Sequence, residues 1–231
     1  MQDLFEALKM VTFPIHKEGY KFILIFALAT IILALLSNFL GLVGLVATLW
    51  CIFFFRDPER IVPLDENIVI APADGVVTRV DYGVEAPDDL GYGDKKFNKI
   101  SIFLNVFNVH VNRLPVGGMV EKVSYKAGRF LSANAADASQ ENERNSVVVK
   151  TEAGNEVIFV QVAGLVARRI LCDIKEGDEV KAGDRYGIIR FGSRTDIYLD
   201  ENVEIKALIG QTMIGGETVI AQFENAEQLR R

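Results

Sequence analysis

Polar and apolar positions are distributed unevenly along this chain. Residues 22–55 form a run of 34 without a charged side chain, and charges recur every few positions afterwards. A spanning helix needs about 20 apolar residues, so one straight span leaves an excess. Ser37 and Asn38 near the middle, with Gly41 and Gly44 behind them, mark a break. The pattern predicts two short helices or a re-entrant hairpin, each half short enough to tilt or to thin a bilayer. Before the run, Leu4, Phe5, Leu8, Val11 and Phe13 alternate with Lys9, Lys17 and Lys21. That is the composition of an amphipathic segment lying at an interface. A cleaved signal peptide fits poorly, because the block is too long and follows a mixed acidic and basic stretch. Arg56 and Arg60 close the far end, so a hairpin would keep both flanks cytoplasmic by the bias of basic residues. The competing reading, a core hairpin of a soluble protein, lacks a partner large enough to cover it.

From Ile68 onward the pattern changes to β. Ile68-Val69-Ile70, the stretch from Gly75 to Val80, Ile100 to Leu104, Val147 to Lys150, Val157 to Val162 and Val203 to Leu208 are rich in β-branched residues, which favour strands. Turn residues separate them at short intervals. Helix is expected only over residues 164–171 and in the polar tail after Phe223. Residues 85–96, acidic and Gly-rich, and 132–145, small and polar, look like loose loops. Residues 174–189 place glycines between short Val and Ile runs, a pattern shared with the folded-over hammerhead of biotinyl and lipoyl carriers. Carriers present a modifiable Lys at a hairpin tip, and none is evident here, so this pattern speaks to fold more than function. The expectation is a mostly β (β-rich α+β) domain over 56–231, behind an interfacial segment (1–21) and a membrane anchor (22–55).

Composition narrows the chemistry. The net charge of -6 gives no electrostatic reason to expect nucleic acid. Cys51 lies in the apolar block and Cys172 in the β region, so a disulfide between them is not expected. The chain has two histidines, His16 before the block and His110 after it. A zinc hydrolase needs more, and no phosphate loop or dinucleotide fingerprint is present. Ser193, His110 and Asp74 supply one nucleophile, one base and one orienting acid. Taken singly, each has a plain alternative: a turn serine, a structural histidine, a turn Asp-Gly.

Several motifs in order carry a resemblance. They are Phe54-Phe55-Arg56-Asp57-Pro58-Glu59-Arg60, Ala71-Pro72-Ala73-Asp74-Gly75, Asn108-Val109-His110-Val111-Asn112-Arg113, Asn142-Glu143-Arg144, the stretch from Ala163 to Ile170, and Phe191-Gly192-Ser193. Together they resemble the short type of phosphatidylserine decarboxylase proenzyme, over nearly the whole chain. The resemblance implies self-cleavage between Gly192 and Ser193 into a β chain (1–192) and an α chain (193–231). Ser193 would become a covalent pyruvoyl group, the sole cofactor, with no metal and no pyridoxal phosphate. That group would form a Schiff base with phosphatidylserine in the bilayer and release phosphatidylethanolamine. His110 would activate the Ser193 hydroxyl and Asp74 would orient His110. Longer members carry a second histidine where Arg113 stands, which leaves His110 as the imidazole for both cleavage and decarboxylation.

Arg113, Arg168 and Arg169 are candidates for the substrate's phosphate or carboxylate, because guanidinium binds oxyanions bidentately. Asn142 is a further substrate-binding candidate. The implied assembly is an α/β heterodimer of the cleaved chains, open to further self-association, at the inner membrane with its catalytic domain on the cytoplasmic face. Two other classes compete. A membrane-anchored hammerhead adaptor or carrier would remain uncut, and a serine hydrolase would use the same triad without cleavage.

Overall fold

The computed structural model describes residues 13–129, 141–164, 169–190 and 192–223. The chain forms two compact units, Met1–Glu59 and Arg60–Arg231. In the first, helix α1 (Gly19–Leu36) and helix α2 (Asn38–Phe54) are joined at Ser37. Ser37 is extended, at φ -165, and its Oγ accepts from the Phe39 N–H at 3.3 Å. The break is therefore an N-cap. Gly41 and Gly44, expected to belong to the break, instead lie inside α2. A Cβ at Gly41 would sit 2.8 Å from the Ala34 Cβ, and one at Gly44 2.8 Å from the Thr30 Oγ1. These small residues let the two helices approach closely, and Thr30 Oγ1 meets Thr48 Oγ1 at 2.9 Å.

Among the described residues α1 alone is long and apolar enough to cross a membrane, and α2 is apolar but shorter. Most large apolar side chains of the pair, from Leu24 to Leu49, face outward. Residues 14–16 pair with 55–57: the His16 N–H donates to the Phe55 carbonyl at 2.9 Å and the Asp57 N–H to the Pro14 carbonyl at 2.7 Å. Of the expected interfacial segment, residues 1–12 lie outside the described residues.

The second unit is built from fourteen strands: β1 (Ile68–Ile70), β2 (Gly75–Glu85), β3 (Lys96–Leu104), β4 (Val111–Arg113), β5 (Gly118–Lys126), β6 (Arg144–Lys150), β7 (Glu156–Ala163), β8 (Ile170–Cys172), β9 (Glu179–Val180), β10 (Arg185–Ile189), β11 (Ser193–Asp200), β12 (Glu204–Ile205), β13 (Thr212–Met213) and β14 (Val219–Gln222). An eight-stranded sheet runs β13-β2-β3-β11-β7-β6-β5-β9, and two three-stranded sheets run β1-β14-β12 and β4-β10-β8. The pairings are antiparallel. The β-rich α+β fold expected from the sequence is the fold observed.

Strand side chains alternate between faces, and both faces of the large sheet are covered. One carries Ile100, Ile102, Val147, Val149, Phe159, Ile197 and Leu199 into the main core. The other carries Phe97, Val148, Ile158, Val160, Val162 and Tyr198 into a second core with Leu90. The small sheet β4-β10-β8 adds Tyr186 to the main core, its ring edge-on to Phe159 at 5.0 Å.

Two local expectations change. The helix expected over 164–171 gives way at Ile170–Cys172 to β8, which pairs with β10 through Ile189, Ile188 and Gly187. Its β-branched and apolar side chains gain more from that ladder than from a short helix; residues 165–168 and the tail from 224 lie outside the described residues. The acidic stretch 85–96 packs as a 3₁₀ turn, Asp88–Leu90, with Leu90 buried. Arg144, buried on β6, draws in both carboxylates there, its Nε lying 3.0 Å from Asp89 Oδ1. A buried guanidinium needs such partners.

Candidate active site

Ser193 opens β11 at the centre of the large sheet. It pairs with Leu104 of β3 on one side and Ala163 of β7 on the other. It is 0% exposed, and its Oγ has no hydrogen-bond partner among the described residues. Gly192, the residue before it, holds φ +68, and a Cβ there would meet nothing within 4 Å. Left-handed backbone is where glycine has its advantage. Here the backbone angle, not crowding, calls for it.

His110, also 0% exposed, stands immediately before β4. The Ile189 N–H donates to its backbone carbonyl at 3.4 Å, continuing the β4–β10 ladder. Two short connections therefore join its position to Ser193. One leads from Ile189 through 190–192 to Ser193. The other leads from Leu104, the strand partner of Ser193, through the Asn105–Asn108 turn to His110. That turn is closed by the Asn108 N–H donating to the Asn105 carbonyl at 3.0 Å and by the Asn105 N–H donating to Asn108 Oδ1 at 2.9 Å. The His110 Nδ1 lies 2.9 Å from the Asn108 carbonyl. A carbonyl accepts only, so Nδ1 carries the proton, and a neutral ring keeps Nε2 as its basic nitrogen.

Asp74 reaches the same end of the sheets, next to Gly75, which opens β2. Arg60 donates to both Asp74 carboxylate oxygens at 2.9 Å, and the Gly215 N–H donates to Oδ1 at 2.8 Å. These bonds tie residues 60, 74 and 215 together.

The substrate candidates separate. Arg113 is buried, and its Nη1 donates to the Gly183 carbonyl at 2.9 Å. The Asn142 Nδ2 donates to the Ala163 carbonyl at 2.8 Å, so it braces the strand beside Ser193. Arg169 is exposed. Arg168 lies outside the described residues.

The opposite face of β11 carries Arg194 and Asp196, both buried and joined Nε to Oδ1 at 2.8 Å. Charges inside a strand gave no sign of this in the sequence; only the double burial of the sheet makes them partners. Burial raises the Cys172 thiol above its ordinary value and holds the Tyr186 phenol far above its own, so both stay protonated at neutral pH. Among the described residues, no group of three or more His, Cys, Asp or Glu side chains is placed to hold a metal ion.

The family described as phosphatidylserine decarboxylase matches residues 47–221, which makes the chain a carboxy-lyase. The chain is 51% identical over 209 residues, 90% of each chain, to the phosphatidylserine decarboxylase proenzyme of Rickettsia akari (strain Hartford). It is 52% identical over the same span and coverage to that of Rickettsia bellii (strain OSU 85-389). It belongs to the phosphatidylserine decarboxylase family. The non-catalytic adaptor reading falls with that membership.

Proposed function

We propose that this chain cuts its own backbone between Gly192 and Ser193 and, so matured, converts phosphatidylserine to phosphatidylethanolamine. The observation that carries the reading is the Gly192–Ser193 junction itself: a left-handed glycine leading into a fully buried serine clamped between two strands. Clamping fixes the serine while the glycine side of the bond stays in an open turn. Attack by Oγ on the Gly192 carbonyl gives an ester as the peptide nitrogen leaves. Loss of the Ser193 α-proton expels the Gly192 carboxylate and leaves dehydroalanine, which takes up water, releases ammonia and becomes pyruvoyl. His110 Nε2 is the base that moves these protons, its ring held by the Asn108 carbonyl.

The site fits a pyruvoyl group. The Ser193 Oγ has no hydrogen bond among the described residues that conversion to a ketone would break. When formed, that group supplies an electron sink for loss of carbon dioxide from an amine-linked substrate. His110 then has the second task of returning a proton to the substrate. Exposed Arg169 is suited to the headgroup's oxyanions. The apolar helices α1 and α2 anchor the chain in the membrane, and the basic flanks Lys17, Lys21, Arg56 and Arg60 keep the catalytic unit on the cytoplasmic face. The two cleaved chains remain together as an α/β heterodimer.

Mass spectrometry of the purified full chain tests this directly. Two fragments, with the smaller one blocked by pyruvoyl at residue 193, are expected. A single intact chain under every condition would sink the proposal.

A further inference from the structure

Three buried amides link β4, which directly follows His110, to β7 beside Ser193 and to β6 beyond it. Gln161 on β7, Asn112 on β4 and Asn145 on β6 are all buried. The Gln161 Nε2 donates to Asn112 Oδ1 at 2.8 Å, and its Oε1 accepts from Asn145 Nδ2 at 3.2 Å. The same Nε2 lies 3.4 Å from the Leu171 carbonyl. A carbonyl cannot donate, which fixes the Gln161 amide with its nitrogen toward β4 and β8.

The placement is specific. Asn112 is two residues after His110. Gln161 pairs across the ladder with Thr195, two residues after Ser193, and both project to the face that Ser193 shares. Gly187 on β10 makes the contact possible. A Cβ there would lie 3.0 Å from Gln161 Nε2 and 2.1 Å from the Leu171 carbonyl oxygen. An apolar side chain at 161 would suit the surrounding core better, since Val157 and Phe159 on the same face are apolar. A buried amide network is costly unless every partner is supplied.

We propose that Gln161 is a positioning residue for self-cleavage: it sets the height of β4, and with it His110, over the strand end that presents Ser193. It acts through Asn112 and touches neither reacting atom. This rests on the self-cleavage reading above.

The test uses the full chain made in a cell-free system with membranes, so that uncut protein can be followed from the start. Gln161→Leu removes the amide bonds and keeps the bulk. Displacement of a catalytic group by about 1 Å costs on the order of 100-fold in rate, and a slowing of that order is expected with the chain still folded by circular dichroism. Gln161→Glu provides an internal control. Protonated, its acid group donates to Asn112 Oδ1 and accepts from Asn145 Nδ2 as the amide does. Ionised, it sets a charge against Asn112 Oδ1 and the Leu171 carbonyl.

Wild-type cleavage, which uses His110 with a free Nε2 lone pair, is expected to rise and not fall with pH. Gln161→Glu is expected to cleave faster at the acid end of a series from about pH 5.5 to 8.5 than at the alkaline end. A Gln161→Glu profile that rises like wild type, or a Gln161→Leu chain cut at the wild-type rate, overturns the assignment alone. A Gln161→Glu chain that unfolds wherever its cleavage fails makes the amide structural and also overturns it. An uncut wild-type chain overturns the self-cleavage reading, and this one with it.

Discussion

Replacing Gly192 separates backbone conformation from space as the reason for glycine at the cleavage junction. Its φ is +68, and a Cβ would meet nothing within 4 Å. Crowding therefore predicts little effect from alanine, whereas the left-handed conformation costs an ordinary L-residue about 1–2 kcal/mol. That energy corresponds to an about 5- to 30-fold lower population of the correct turn. Asparagine enters the left-handed region more readily than alanine, although it is larger. The expected order of self-cleavage rates is thus Gly192, then Gly192→Asn, then Gly192→Ala, with alanine slowed by roughly the fold just given. The assay is the fraction of cut chain against time on a denaturing gel, beside a melting curve. If the strain is carried in the folded state, Gly192→Ala also lowers the Tm, by about 2–4 °C per kcal/mol for a domain of this size. Alanine cutting faster than asparagine would show that size governs the junction, and equal rates for all three would show that its conformation is irrelevant. Either result refutes the reasoning.

Ser193→Ala should abolish both cutting and lipid decarboxylation while the Tm stays within a few degrees, because the Oγ makes no hydrogen bond among the described residues; decarboxylation by the uncut variant would contradict the pyruvoyl assignment. Asp74→Ala should lose on the order of 3 kcal/mol by stranding Arg60, and Asp74→Asn, which still accepts from Gly215, should lose less in denaturant titration. Asp89 feels burial, which raises its pKa, but hydrogen bonds from Arg144 and Ser124 outweigh this and hold it below its ordinary 3.8. A lowered folded-state pKa stabilises at higher pH, and the gain is lost as pH falls through 3.8 toward the folded value. Melting curves in acid should therefore fall less steeply for Asp89→Asn than for wild type.

Much of this molecule is visible in residue pattern alone. Short β-branched runs mark the strands because a covered sheet selects such side chains, and an uncharged run of 34 residues marks the helical pair. Ser193 and His110 stood out, one by its glycine neighbour and one by the scarcity of imidazole. What pattern could not carry were partners distant in sequence. The Arg60–Asp74 pair is one of these, because nothing in the spacing of the two residues announces it. The carbonyl that the His110 Nδ1 meets is equally hidden, since every residue possesses one and no residue type announces it. Gln161 lies in a recognised strand, and its signal was local: an amide on the inward face between Phe159 and Ala163. Strand β8, which takes in the last residues of the helix expected over 164–171, shows sheet pairing outweighing a weak local tendency.

The interleaving of strands determines what a cut at residue 192 would do to the assembly. Strands β11 to β14 all follow the junction. Yet β11 lies between β3 and β7, β13 extends the edge beside β2, and β14 sits between β1 and β12. Cleavage would turn ladder bonds within one polypeptide into a subunit interface without moving a strand. The short polypeptide would hold a central place in one sheet and most of another, with no independent core to fold around. Two-chain protein unfolded in denaturant would then refold as a bimolecular reaction, in a yield that depends on concentration. The uncut precursor, whose strands share one chain, would not.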